Sequence, residues 1–184
     1  MTISLKLKNW IEQYKKLIQG KIPEAKYDEI YKWETVQHFQ ENWKDDHDAS
    51  TILENLKKSF NYENNNLWSG SHYLPYKMLL EFAIHDPAAV SEMFNTLFNE
   101  SQPLNERLAF FTRKAEEIKN DIDPDKEWST YQHDRALTVY LSLRYPEKYY
   151  LYKNRMFNEF CELTEFRDRP GMGKKYDYTI LSQY

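Results

Sequence analysis

A chain of 184 residues with 41% hydrophobic, 29% charged and 16% aromatic side chains has the composition of one globular domain with a single substantial core, and excludes a disordered chain. The formal net charge of −4 excludes a global field that would draw in nucleic acid, so any phosphate contact has to be local. Only four glycines are present, which leaves phosphate-cradling loops and many-stranded barrels poorly supplied, and the single cysteine, Cys161, excludes an intramolecular disulfide.

Residues 5 to 19 place Leu7, Trp10, Ile11, Tyr14, Leu17 and Ile18 on one helical face, with Gly20 where a C-cap belongs. A second helix is expected from Pro23 to about Trp43, with Ile30, Trp33, Val36, Gln40 and Trp43 roughly aligned, and WKDDHDAS (43–50) breaks the pattern. Asp48 or Ser50 can cap a third helix, in which Ile52, Leu53, Leu56 and Phe60 form the apolar stripe while Lys57 and Lys58 face outward. The Asn-rich segment 61–75 reads as a polar loop carrying Trp68 and Tyr73.

Pro75 opens a short helix with Met78, Leu79, Phe82 and Ala83, and Asp86 with Pro87 supplies the N-cap and first residue of the next, continued by Val90, Met93, Phe94 and Leu97. Another helix is expected from about Leu104 to Asn120, ended by the acidic NDIDPDKE (120–127), and Asp134 is placed to cap one containing Leu137, Tyr140 and Leu141. At KYYLYK (148–153) the period changes to an aromatic alternation that favours a strand, after which Asn154 caps a helix bearing Phe157, Phe160 and Cys161. The predicted fold is mostly α: a single compact helical domain of about seven or eight helices with a small β element near 148–153. The closing KKYDYTILSQY reads as an element cut short, so residues 1–184 are expected to form one N-terminal recognition domain of a longer protein. No stretch is apolar enough for a signal peptide or a membrane span, and a cytoplasmic protein without membrane partners is expected.

Constellations with catalytic or metal chemistry are weak. Asp45, Asp46, His47 and Asp48 put three carboxylates and an imidazole side by side, a set suited to a divalent ion, but adjacent loop residues seldom converge on one ion and a solvated turn is the simpler reading. Glu34 with His38, His85 with Asp86, and His133 with Asp134 are possible acid/base pairs, yet the two aspartates are already placed as helix caps. Cys161 sits among Phe157 and Phe160, where a buried thiol is inert. No P-loop, dinucleotide fingerprint or zinc spacing occurs, and no catalytic residue, metal or cofactor is assigned.

Aromatic residues carry more. Trp33, Trp43, Trp68, Tyr73 and Tyr76 gather around the second helix and the Asn-rich loop, and exposed rings of this kind stack on unstacked bases, although most aromatics of a helical protein serve as core. LRYPEKYYLYKNRMF (143–157) then combines Tyr145, Tyr149, Tyr150 and Tyr152 with Arg144, Lys148, Lys153 and Arg155 against one acid, Glu147. Residues 144–184 hold 8 basic and 6 acidic side chains, whereas residues 1–143 hold 17 and 23. In a strand, alternation would send Tyr149 and Leu151 to one face and Tyr150 and Tyr152 to the other.

Three blocks, YKWETVQHFQENW (31–43), NLWSGSHYLPYKMLLEFAIHDPAAVSEMFNTLFNES (66–101) and YQHDRALTVYLSLRYPEKYYLYKNRMF (131–157), together resemble the N-terminal regions of McrB-type AAA+ GTPases, the motor subunits of modification-dependent restriction systems active in antiviral defence. The resemblance implies a targeting module that recognises DNA, modified DNA included, with an AAA+ motor domain in the same polypeptide and a separate nuclease subunit. The motor's Walker sequence does not occur in these residues, so the resemblance implies neither GTPase nor nuclease activity for them.

Reading a modified base by extrusion needs aromatic walls plus a few polar groups, with lysine and arginine on the phosphates. The phosphate candidates are Arg144, Lys148, Lys153 and Arg155, then Lys57, Lys58, Lys77 and Arg135, and the base-stacking candidates are Trp68, Tyr73, Tyr150 and Tyr152. A dedicated DNA reader is usually more basic than this chain. The alternative is therefore a protein-interaction or regulatory module whose aromatic surface is an interface.

Overall fold

The computed structural model describes residues 5–19, 30–61, 67, 74–125, 127–150, 158–159 and 161–162. Within them run seven helices: α1 (Leu5–Ile18), α2 (Ile30–Asn42), α3 (Ile52–Phe60), α4 (Pro75–His85), α5 (Pro87–Leu97), α6 (Leu104–Ile122) and α7 (Asp134–Arg144). The mostly α reading of the sequence therefore holds. No helix among the described residues is long and apolar enough to cross a membrane.

The centre is taken by α7, whose sequence lacks a polar face: every residue from Ala136 to Leu143 is buried. Its two aliphatic hydroxyls are satisfied within the helix, Thr138 Oγ1 donating to the Arg135 carbonyl and Ser142 Oγ to the Val139 carbonyl, so neither needs a partner across the core. Around it α2 and α3 pair, and α4, α5 and α6 close the remaining sides. The rings of Phe39, Phe60, Phe94, Phe111 and Tyr140 meet in the middle, with Phe60 edge-on to Tyr140 at 5.4 Å and Phe94 edge-on to Phe111 at 5.3 Å. Each such pair contributes about 0.5–1.5 kcal/mol beyond its buried area.

Local signals act where the sequence placed them, with small shifts. Asp86 ends α4 and caps α5, its Oδ1 accepting from the Ala89 amide at 2.9 Å while Pro87 fills the first helical position. Thr51, not Asp48 or Ser50, stands at the N-cap of α3 and makes no side-chain capping bond, while Asp48 organises the turn before it: its side chain accepts from the Ser50 and Thr51 amides and its carbonyl from the Ile52 amide. His133 rather than Asp134 stands at the N-cap of α7, and Asp134 contributes charge in the first turn instead. At the same end Gln132 ties α7 to α4, donating to the Pro75 carbonyl at 2.8 Å and accepting from the Tyr140 hydroxyl at 2.8 Å.

The β element predicted near 148–153 does not form over its first three residues. The Tyr145 carbonyl accepts from the amides of Lys148 and Tyr149, both at 3.0 Å, a helical turn that resumes after Pro146 interrupts α7. Alternating aromatics alone do not make a strand, which needs a neighbour to complete its ladder. Residues 151–153, the Asn154 cap and the start of the second helix before Ile30 lie outside the described residues.

Candidate functional site

Where α7 gives way to Pro146, two adjacent tyrosines part company. Tyr149 is 2% exposed and Tyr150 is 66% exposed. An ionic knot holds the first one in. Arg107 of α6, itself 2% exposed, donates to the Leu97 carbonyl at 2.7 Å, to Glu100 Oε1 at 3.0 Å and to the Tyr149 hydroxyl at 2.8 Å. Tyr149 in turn donates to Glu100 Oε1 at 2.6 Å, and Lys148 pairs with the other carboxylate oxygen. Burial alone would raise Glu100, but Lys148, Tyr149 and Arg107 together hold its carboxyl below the ordinary 4.5. The Tyr149 hydroxyl is pushed up by burial and by its bond to the Glu100 carboxylate. With Tyr149 fixed, Tyr150 is directed outward.

Tyr150 forms one side of a cleft of about 170 Å³. Ser142, Val36, Pro146 and the edge of Tyr149 lie at its base, while Trp33 and Lys32 of α2 and Tyr14 of α1 complete the rim. Trp33 is 59% exposed and Tyr14 50% exposed, so three aromatic rings from three separate elements border one concavity. That arrangement accepts a flat apolar face, and no acid is among the described residues that line it.

Of the phosphate and base-stacking candidates that are described, only Tyr150 is among the residues lining this cleft. Arg144 and Lys148 flank the same turn but are committed: Arg144 Nη2 bonds to Asp45 at 2.7 Å, and Lys148 belongs to the Glu100 knot. Lys57 pairs with Glu54 at 2.9 Å and Lys58 stands exposed beside it on α3, facing a polar groove of about 490 Å³. Lys77 and Arg135 are exposed in the first turns of α4 and α7, which Gln132 joins at the far end of α7 from Arg144. The phosphate candidates therefore fall on three separate parts of the surface. Lys153, Arg155, Trp68, Tyr73 and Tyr152 lie outside the described residues.

The Asp45 to Asp48 run disperses as well. Asp45 accepts from the Trp43 indole at 3.0 Å and from Arg144, Asp48 serves the α3 turn, and His47 is buried with its Nδ1 on Ser91 Oγ at 3.0 Å. Among the described residues no three His, Cys, Asp or Glu side chains gather as a metal site.

Sequence reasoning missed Tyr14, assigned to an apolar face, and Lys32, and it weighed Trp33 as a stacking ring but set it on the apolar face of α2. In α2 the buried column is Thr35, Phe39 and Trp43, spaced by four, and Trp33 lies about a third of a turn away from it. A strict spacing of four, in place of the mixed spacing Ile30, Trp33, Val36, Gln40 and Trp43, would have set Trp33 outside. No family model, curated protein or solved structure matches the chain.

Proposed function

We propose that this chain is a recognition module of a McrB-like restriction GTPase, without a catalytic centre of its own, and that it reads DNA by taking an unstacked base into the cleft bordered by Tyr14, Trp33 and Tyr150. The observation that supports the reading is the convergence of three exposed rings on one concavity, since stacking on such rings contributes about 1–3 kcal/mol per base irrespective of sequence. Extrusion costs a few kcal/mol and least where pairing is already weakened, so single strands and modified or mismatched sites are the favoured ligands.

Titration of labelled single strands and of modified and unmodified duplexes, at low and moderate salt, tests this. Salt-dependent binding with preference for the unpaired or modified base is expected; no binding to any of them ends the proposal. The ion pairs of Arg144 and Lys148, together with the net charge of −4, favour the second reading, a protein-interaction module whose cleft receives an aromatic or apolar side chain. That reading gains if the chain ignores all nucleic acids yet loses a partner when Trp33 is replaced.

A further inference from the structure

Helix α1 is basic in an acidic protein. Its residues include Lys6, Lys8, Lys15 and Lys16 against the single acid Glu12, a net +3 in a chain whose total is −4, so the remainder carries −7. Lys8, Lys15 and Lys16 are all exposed. Lys15 bonds to Glu12 at 2.9 Å, but both side chains are more than half exposed, and a pair of that kind yields to a competing anion at little cost. Lys8 and Lys16 make no ion pair among the described residues.

The position of this charge matters as much as its sign. Lys8 and Lys15 lie two turns apart, about 10 Å along the axis, on the flank of the helix next to Ile11. Tyr14, on the adjoining face, lines the aromatic cleft, and Lys32 of α2 lines it too. Lys8 and Lys15 stand roughly a third of a turn from Tyr14 around α1, with Lys16 on the far side of the helix. Of Lys8 and Lys15 only the latter is paired among the described residues, and loosely, whereas Arg144 and Lys148 are held by carboxylates.

Starting from the cleft as a base site, we infer that α1 is the element that holds the nucleic-acid backbone: Lys8 and Lys15 contact phosphates of the strand whose unstacked base enters between Tyr14, Trp33 and Tyr150, and Lys16 adds to the field from the far side of the helix. This assigns the electrostatic work to a helix that the sequence pattern marks only as an apolar stripe, and it reconciles a negative protein with a polyanionic ligand, because the attraction is confined to one edge. An anionic lipid surface is also drawn to a basic helix, but a helix that inserts into lipid turns its apolar residues outward. Leu5 and Ile11 of α1 are exposed, so lipid is an outcome of the test below, while the exposed rings that border a concavity favour a strand with an unstacked base.

The test compares the full chain with the triple variant Lys8→Gln, Lys15→Gln, Lys16→Gln, with Trp33→Ala and with Lys77→Gln, using a labelled single-stranded oligonucleotide over a range of salt, with far-UV circular dichroism confirming the helix content of each. The triple variant is expected to lower the slope of log affinity against log salt by at least about 1.4, at about 0.7 for each of the two phosphates lost from a single strand. Trp33→Ala is expected to weaken binding with the slope kept, and Lys77→Gln to change neither. A triple variant with the parent's slope overturns this inference while leaving the cleft reading in place if Trp33→Ala still weakens binding. A parent chain that binds no oligonucleotide, and whose triple variant instead loses binding to phosphatidylserine vesicles, overturns both.

Discussion

At the residue scale the decisive pair is Tyr149 and Tyr150, neighbours with opposite fates. What separates them is the charge on Glu100, because a guanidinium as buried as that of Arg107 is tolerated only with anionic and carbonyl acceptors around it. Glu100→Ala removes those acceptors from Arg107, Tyr149 and Lys148 at once, and is expected to cost about 2–3 kcal/mol of stability in urea unfolding, the magnitude of hydrogen bonds to charged groups. A change within experimental error would mean the knot does not hold the turn. His47 makes a second, pH-dependent prediction. Burial lowers its imidazole below the ordinary 6.5, against the opposing pull of Asp45, Asp46 and Asp48. The native state therefore binds its proton less readily than the unfolded chain. The resulting stabilisation is complete above 6.5 and is lost as pH falls from there through the lower native value. His47→Gln is expected to flatten that part of the stability profile, and an unaltered profile would assign it to other groups.

At the element scale, caps and apolar stripes were readable because they depend on neighbours in the chain. Asp86 followed by Pro87 is such a case, and Asp86→Ala is expected to cost about 1 kcal/mol in thermal or urea unfolding, through the amide of Ala89 that it leaves unpaired. The apolar positions Leu137, Tyr140 and Leu141 likewise marked α7 as a helix with a core-facing side, although its burial from Ala136 to Leu143, Thr138 and Ser142 included, is visible only with the tertiary packing. Less readable was which apolar face stays uncovered. The stripe of α1 looks like core by periodicity, yet Ile11 and Tyr14 are exposed, because what a stripe packs against depends on the distant elements that reach it. Hydrogen exchange should register this difference: amides of α1 are expected to exchange before those of α7, and equal protection would show α1 to be part of the same cooperative core. The strand predicted from KYYLYK failed over 148–150 for a related reason, since aromatic alternation records side-chain spacing but not whether a partner strand exists.

For the whole molecule, charge was read correctly in sum and incompletely in distribution. Counting Lys and Arg along the chain drew attention to residues 144–155, but Arg144 and Lys148 find their carboxylates in Asp45 and Glu100, about a hundred and about fifty residues away in sequence, and no local count anticipates such pairing. The cleft itself was only partly legible: Tyr150 was named, whereas Trp33 and Tyr14 join it through the packing of α1 and α2 beside the end of α7. Its three rings come from widely separated stretches, so the feature belongs to the fold and not to a motif.

The most direct measurement of the central claim is the affinity of Trp33→Ala for a labelled single-stranded oligonucleotide relative to the unaltered chain. Loss of one stacking ring predicts binding weaker by about fivefold to 150-fold, from about 1–3 kcal/mol per stacked base, with helix content unchanged. Equal affinity of the two proteins would contradict a base in the cleft.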